Sequence, residues 1–282
     1  MPFPTDTGFH EVADRIWVAR YAWFDVNVTL VGGERGLLVV DTNASSLSAR
    51  QVIDDVRRLG AGDVVGAVNT HEHFDHTLGN AEFRTAYGAI PIHAHATAAE
   101  RTAAACERVK GLFADQPDDE PLDEHTDDVL GTEIVPADHT FTSTATVDLG
   151  DRLVELVHPG RGHTGGDLVV RIPDADVVLA GDLVEESGPP GFAADCYPLD
   201  WPSSLENVLG LLTPGSIVVP GHGAPVDRAF VERQRKEIGI VAETIRDLAG
   251  RGVPLEEALD AADWPFPKRA LASAVARGYE LL

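Results

Sequence analysis

The 282-residue chain is poor in cysteine, in cations and in long apolar runs. Its two cysteines, Cys106 and Cys196, are too few for a disulfide framework, and neither has a metal-type partner close by in the sequence. No stretch reaches the roughly 18 uninterrupted apolar residues that a membrane-spanning helix needs. The first residues also lack the basic and then apolar regions of a secretory signal. These absences predict a protein of the cytoplasm that makes no membrane contact, with a mature exported chain as the alternative.

Positive charge is scarce, because 22 Lys and Arg residues stand against 46 Asp and Glu residues, which gives a net charge of −24. Such an acidic surface repels phosphate backbones, so we expect no nucleic-acid partner and predict a small-molecule substrate. A G-x-S-x-G motif, which would offer a serine nucleophile, is also missing from the sequence. The composition leaves the oligomeric state open.

Short apolar runs separated by glycine and proline predict strands in both halves of the chain, and the content of 44% hydrophobic residues is enough for a substantial core. Helices are expected between the strands. Residues 45–60 begin with serines that suit an N-cap and end at Gly60. From Asp227 onward the pattern is mostly helical. Two successive halves of this kind predict an α/β protein in which helices flank paired sheets.

The segment 115–128, "DQPDDEPLDEHTDD", contains eight acids and two prolines with almost nothing apolar. Such a composition cannot bury enough apolar surface to offset the entropy of ordering. We therefore predict a mobile loop or a solvated insertion and no core element. A lid over a site is the alternative, because long loops often carry function.

Several apolar runs end on a residue that could bind or support a metal ion. Asp41, His71, Asp182 and His222 each close such a run, and His163 lies between glycines in "GRGHTGGD". In layered α/β folds the carboxyl ends of neighbouring strands gather at one edge, where sites are built. These side chains are therefore expected to converge.

The stretch "HEHFDH" (71–76) concentrates three histidines and two acids within six positions. In an extended chain, residues two apart point to the same side, so His71 and His73 can hold one ion. A bend at Asp75 and His76 would direct the next pair to a second ion. Imidazole and carboxylate together suit Zn²⁺, Fe or Mn better than Ca²⁺, which takes oxygen ligands.

Four motifs, taken in order, resemble the signature of the metallo-β-lactamase superfamily: "HEHFDH" (71–76), "GHTGGD" (162–167), "AGD" (180–182) and "PGHG" (220–223). The resemblance spans about residues 8 to 225. It implies a four-layer αββα sandwich over residues 1–226, with an acidic insertion at about 114–130. The helical C-terminal part, 227–282, is expected to pack on the same domain.

The resemblance also implies a dinuclear site of two divalent metal ions, with Zn as the first expectation and Fe or Mn as alternatives. Carried over by motif, the first ion would be bound by His71, His73 and His163, the second by Asp75, His76 and His222, and Asp182 would bridge both. Asp41 matches the acid that orients a metal-bound histidine in this family.

In such a site a metal-bridged hydroxide would attack an ester, thioester, lactone or amide carbonyl. Asp75 would act as the catalytic proton acceptor. Antibiotic-degrading members of the superfamily lack a bridging acid at the position of Asp182, so the chain resembles the glyoxalase II and lactonase branch more closely. The alternative is an oxidoreductase of the persulfide dioxygenase type, which uses a single iron held by a subset of the same ligands.

Other polar and aromatic residues receive weaker predictions. His93 and His95 alternate like ligands, but the implied ligand set is complete without them, so core or orienting roles are expected. Glu72 is assigned no catalytic role. Phe192 and Tyr197 follow the strand that ends on Asp182, and loops after such strands often carry specificity, so either could lie beside the substrate.

Overall fold

The computed structural model describes residues 3–115 and 125–282, and within these ranges the chain forms one connected sheet with helices around it. The strands are β1 (His10–Ala13), β2 (Ile16–Tyr21), β3 (Val26–Gly33), β4 (Gly36–Val40), β5 (Val64–Val68), β6 (Ile92–His95), β7 (His139–Phe141), β8 (Thr144–Asp148), β9 (Leu153–Val157), β10 (Val169–Ile172), β11 (Val177–Glu185), β12 (Ile217–His222) and β13 (Val226–Asp227). The helices are α1 (Ser46–Leu59), α2 (Phe74–Thr77), α3 (Asn80–Tyr87), α4 (Ala96–Ala114), α5 (Thr126–Gly131), α6 (Trp201–Leu209), α7 (Arg228–Gly250), α8 (Leu255–Ala258) and α9 (Lys268–Glu280).

The sheet consists of two halves that meet at one narrow point. The strand order is β7-β6-β5-β4-β3-β12-β11-β10-β9-β8, with β2 and β1 attached to β3 and β13 attached to β12. The halves join where His222 of β12 pairs with Val26 of β3, the one residue pair in register between these strands. So narrow a connection lets the two half-sheets turn and pack against one another face to face.

Alternating side chains show that each half-sheet is buried on both faces. On β4, Leu37 and Val39 face the cluster that contains α1, while Leu38 and Val40 face the other half-sheet. In the second half, Val178 of β11 faces the C-terminal helices in the same way. Because side chains on a strand point to opposite faces in turn, this pattern defines helix, sheet, sheet and helix layers. The prediction of an α/β sandwich of four layers is confirmed.

Helix α1 begins and ends as its sequence predicts. The Ser45 side chain accepts a hydrogen bond from the Ser48 backbone N–H, which satisfies one free donor of the first turn. Gly60 ends the helix with a φ of 67°, a left-handed conformation that glycine adopts without steric cost. Val52 and Val56 lie on the buried face against the first half-sheet.

The C-terminal helices cover the outer face of the second half-sheet. Ile238 and Ile245 of α7 and Leu271 of α9 are fully buried in the same cluster as Trp201 of α6. Within the described ranges, no helix has both the length and the apolar content to cross a membrane.

The acidic segment departs from its prediction at its C-terminal end. Residues 116–124 lie outside the described residues, so the expectation of a mobile loop or lid is not addressed there. Helix α5 begins at Thr126, which is buried, and the adjoining Val129 packs against Phe113. The expectation of a fully solvated insertion is therefore wrong for this end. The many acids nearby predict a solvated segment, but Val129 makes an apolar contact with the core.

Candidate metal centre

The strand ends gather the predicted side chains at one edge of the molecule. Asp41 and His71 lie just beyond the carboxyl ends of the parallel strands β4 and β5. Asp182 lies within β11, and His222 ends the parallel neighbour β12. His163 comes from the loop between β9 and β10. The site is therefore built where open α/β sheets place their ligands.

The two pairs of candidate ligands in "HEHFDH" differ in local structure, because His71 and His73 precede a short helical turn and Asp75 and His76 lie on it. Strand β5 ends at Val68, and the chain stays non-helical until His73, which precedes the first residue of α2. This turn is the predicted bend, and it directs Asp75 and His76 away from His71 and His73.

A first group of donors consists of His71, His73, His163 and Asp182, with one ligand-type atom of each within 4.8 Å of the others. The His163 Nε2 atom lies 2.8 Å from His73 Nδ1 and 3.3 Å from Asp182 Oδ2. His71 Nε2 lies 3.7 Å from the same Asp182 oxygen. Three imidazoles and one carboxylate oxygen thus face a common point.

A second group consists of Asp75, His76 and His222, whose donor atoms also lie within 4.8 Å of one another. The Nε2 atoms of His76 and His222 are 3.4 Å apart, and His222 Nε2 lies 3.5 Å from Asp75 Oδ2. Asp182 reaches this group as well, since its Oδ1 lies 3.3 Å from His76 Nε2. The Asp182 carboxylate therefore lies between the two groups.

Two buried atoms in the first group fit a bound cation. Asp182 Oδ1 and His71 Nε2 are buried, and neither has a hydrogen-bond partner among the described residues. Buried polar atoms are ordinarily paired, because leaving one unsatisfied costs about 1–3 kcal/mol. Clustered imidazole nitrogens and carboxylate oxygens are the donors that Zn²⁺, Fe and Mn take. The residues present therefore fit the metal ions that the sequence implies.

The donor histidines differ in their electrostatics. Burial lowers the pKa of His163 to about 4 and that of His71 well below its ordinary value, which keeps both imidazoles in the neutral form that binds metals. Burial also opposes protonation of His222, but the Asp182 carboxylate outweighs it and raises the pKa of His222 to about 10. The carboxylates of Asp182 and Asp75 therefore favour positive charge at His222.

Each imidazole is fixed by a hydrogen bond from its other nitrogen. His76 Nδ1 donates to Asp41 Oδ2 at 2.8 Å, the contact expected of an orienting acid. The same Asp41 carboxylate accepts from the Thr70 hydroxyl, which accepts from His71 Nδ1. The remaining pairs are His73 Nε2 with Asp195, His163 Nδ1 with Gly191 O, and His222 Nδ1 with Phe24 O. Such partners select the ring nitrogen that faces a metal.

Some of these partners were not found from the sequence. Asp195 accepts from His73 Nε2 at 3.2 Å and from Arg108 at 3.2 Å. Two backbone carbonyls, those of Gly191 and Phe24, orient His163 and His222. Phe24 has a φ of 61°, uncommon for a residue with a side chain, and strain of this kind clusters at functional sites.

The residues with weaker predictions lie outside both groups. Phe192 is buried at ring-centroid distances of 5.1 Å from Trp201 and 6.2 Å from Phe266, so it packs in the core. The expectation that Phe192 or Tyr197 lies beside the substrate stays a prediction. The Tyr197 ring packs under the Arg161 guanidinium at 4.3 Å. Glu72 is buried, with its carboxylate 3.9 Å from Arg101.

His93 and His95 lie on β6, and neither belongs to the two donor groups. His95 stacks on His158 with ring centroids 4.1 Å apart, and its Nδ1 accepts from the Thr97 backbone N–H at the start of α4. These contacts give His95 a structural role, as predicted.

The four-layer fold and the clustered His and Asp side chains define a metallo-hydrolase, and the chain belongs to the metallo-beta-lactamase superfamily, whose sequence model matches residues 21–222. It is 28% identical over 207 residues to the metallo-beta-lactamase type 2 of Bacillus cereus, which covers 73% of this chain and 70% of that protein. It is 23% identical over 213 residues to the metallo-beta-lactamase type 2 of Elizabethkingia meningoseptica, over 74% of this chain and 73% of that one.

Solved structures support the same fold. The DIM-1 metallo-beta-lactamase superimposes with a TM-score of 0.63 at 21% identity, over 82% of this chain and 96% of that chain. The mono-zinc form of FIM-1 from Pseudomonas aeruginosa gives a TM-score of 0.64 at 20% identity, over 85% of this chain and 98% of that one. The narrower assignment to the glyoxalase II and lactonase branch stays a prediction.

Proposed function

We propose that this protein hydrolyses an ester, thioester, lactone or amide bond of a small molecule at a centre of two divalent metal ions. The observation that carries the proposal is the position of Asp182, whose two oxygens lie 3.2–3.7 Å from four imidazole nitrogens of both donor groups. His71, His73 and His163 would hold one ion, while Asp75, His76 and His222 would hold the other. Asp182 would be shared by both.

When bound, two such ions lower the pKa of a water molecule towards neutrality and polarise the carbonyl that is attacked. The chain's own residues supply position and proton transfer. Asp75 would bind through Oδ2, which lies 3.5 Å from His222 Nε2, and its second oxygen would accept the proton released when water attacks. Asp41 and Thr70 hold the rings of His76 and His71, so the donors need little rearrangement.

Two features favour different substrates within this class. The acid at position 182 supports thioester and lactone hydrolysis, by its resemblance to the glyoxalase II and lactonase branch. The curated relatives are named metallo-beta-lactamases, which supports the cyclic amide of a β-lactam as a second candidate. The net charge of −24 supports a small-molecule substrate and argues against a nucleic acid.

A substrate panel tests the proposal. The zinc-loaded protein is assayed on a thioester, a lactone and a β-lactam, and oxygen consumption is followed with a persulfide. We expect turnover of at least one hydrolytic substrate, and Asp182→Asn should lower it at least about 100-fold with an unchanged circular dichroism spectrum, because the shared charge is lost. Oxygen consumption by an iron-loaded protein without hydrolysis would contradict the proposal and favour the persulfide dioxygenase alternative.

A further inference from the structure

Glu185 ends strand β11 beside the last residue of β12. The two strands are parallel, and Glu185 is in register with His222. The following backbone N–H, that of Glu186, donates to the His222 carbonyl at 3.1 Å. All nine residues of β11 are buried, so the backbone holds Glu185 firmly next to the metal centre.

The Glu185 side chain is directed towards the same donors. One ligand-type atom of Glu185 lies within 4.8 Å of corresponding atoms of Asp182 and His222, and all three residues are buried. Its Oε1 atom accepts hydrogen bonds from the backbone N–H and the hydroxyl of Ser187. Within the described ranges its Oε2 atom makes no hydrogen bond. Ser187 therefore anchors one carboxylate oxygen, and the carboxylate stays within reach of the donors of Asp182 and His222.

Donor separations of no more than 4.8 Å are compatible with a shared ion. Two donors on opposite sides of one ion, each about 2.0–2.2 Å from it, are about 4.4 Å apart. Direct hydrogen bonds among the three groups would need heavy atoms within about 3.2 Å. Asp182 and His222 already make such a contact, at 3.2 Å, but Glu185 makes none with either. A buried carboxylate at this distance is placed to neutralise a cation that Asp182 and His222 bind.

We propose that Glu185 is an additional carboxylate at the second metal position, the one formed by Asp75, His76 and His222 with the shared Asp182. Glu185 raises the affinity of this position for a hard divalent ion such as Mn²⁺ more than its affinity for Zn²⁺. The inference rests on the dinuclear centre of the proposed function. With Glu185, the second position has carboxylates from Asp75, Asp182 and Glu185 beside two imidazoles, whereas the first has three imidazoles and one carboxylate. Carboxylate oxygens suit Mn²⁺ and imidazoles suit Zn²⁺, so the two positions differ in selectivity.

The test measures metal binding directly. Protein with one equivalent of Zn²⁺ is titrated with MnCl₂, and free Mn²⁺ is followed by electron paramagnetic resonance; a parallel titration uses ZnCl₂. Glu185→Gln should weaken Mn²⁺ binding about 10-fold or more and Zn²⁺ binding clearly less. The matched control is Glu237→Gln, a half-buried acid on α7 that lines the same surface cavity as Glu185, and it should bind both ions as wild type does.

Equal Mn²⁺ affinity of wild type and Glu185→Gln would overturn the inference, as would an equal loss in Glu237→Gln. If Glu185→Gln fails to fold, Glu185→Asp replaces it, with the same expected loss because its carboxylate is one methylene further back. If the wild type takes up two ions and hydrolyses its substrate but Glu185→Gln binds Mn²⁺ normally, the inference about Glu185 is wrong and the proposed function stands. A wild type that takes up no second ion would remove the proposed function as well.

Discussion

At the residue scale, the position of Asp182 depends on the absence of a side chain at Gly221. A Cβ atom at Gly221 would collide with Asp182 Oδ1 and lie 3.0 Å from the backbone carbon of Gly181. The backbone cannot yield easily, because Gly181 and Pro220 are paired in register between β11 and β12. Glycine at 221 therefore makes the room in which the shared carboxylate lies.

We predict that Gly221→Ala displaces the Asp182 carboxylate, releases bound metal and lowers hydrolytic turnover at least about 100-fold, since an electrostatic interaction with the reacting atoms is lost. Metal content by mass spectrometry and turnover on the same sample measure both effects. Gly215→Ala is the control, because a Cβ there meets nothing closer than 3.7 Å. A Gly221→Ala protein that keeps its metal and its turnover would contradict this account of Asp182.

The donor residues could be predicted from the sequence, because few residue types bind metals and their spacing follows from strand geometry. The groups that orient these donors could not be predicted from the sequence. The carbonyls of Gly191 and Phe24 carry no sequence signal, since every residue has one, and Asp195 is one of 46 acids. Glu185 was missed for the same reason. Their roles depend on how the loops fold onto the strand ends.

At the element scale, the start of α4 is held by a histidine in one fixed tautomer. His95 Nδ1 accepts from the Thr97 backbone N–H, and its Nε2 donates to the Thr142 carbonyl at 3.2 Å. Protonation would place a hydrogen on Nδ1 and break the cap. Burial, and to a lesser degree the charge of the stacked His158, lower the pKa of His95.

The direction of this shift predicts a pH dependence of stability. The unfolded chain takes up a proton at His95 near about pH 6.5, while the folded chain resists it, so the unfolded state binds more protons below that pH. The contribution of His95 is therefore present above about pH 6.5 and lost as the pH falls. Urea unfolding between pH 5 and pH 8 measures this slope.

His95→Asn keeps an oxygen that can cap α4 but does not titrate, so its free energy of unfolding should fall less steeply towards pH 5 than that of wild type. Identical slopes for wild type and His95→Asn would show that His95 contributes nothing to the pH dependence.

The regular elements were predictable where local signals agreed. Helix α1 has apolar residues at helical spacing and clear end signals, and it lies where the sequence places it. Helix α5 was missed because its buried apolar residue, Val129, follows a run of acids that makes the segment polar in composition. Burial there depends on contact with Phe113, which only the folded chain supplies.

At the scale of the whole molecule, the metal centre joins the two half-sheets. His71, His73, Asp75 and His76 come from the first half, and His163, Asp182 and His222 come from the second. Among the described residues, the direct strand pairing between the halves is a single residue pair, that of His222 with Val26. Ions bound by both halves would bind the folded state in preference to the unfolded one and so stabilise the sandwich.

The most direct test of the dinuclear centre is the metal content per chain, measured with turnover and the midpoint of thermal unfolding on the same samples. We predict close to two divalent ions per chain; a chelator should remove them, abolish turnover and lower the midpoint, and added Zn²⁺ should restore all three. A protein that is free of metal and keeps full turnover would contradict the account.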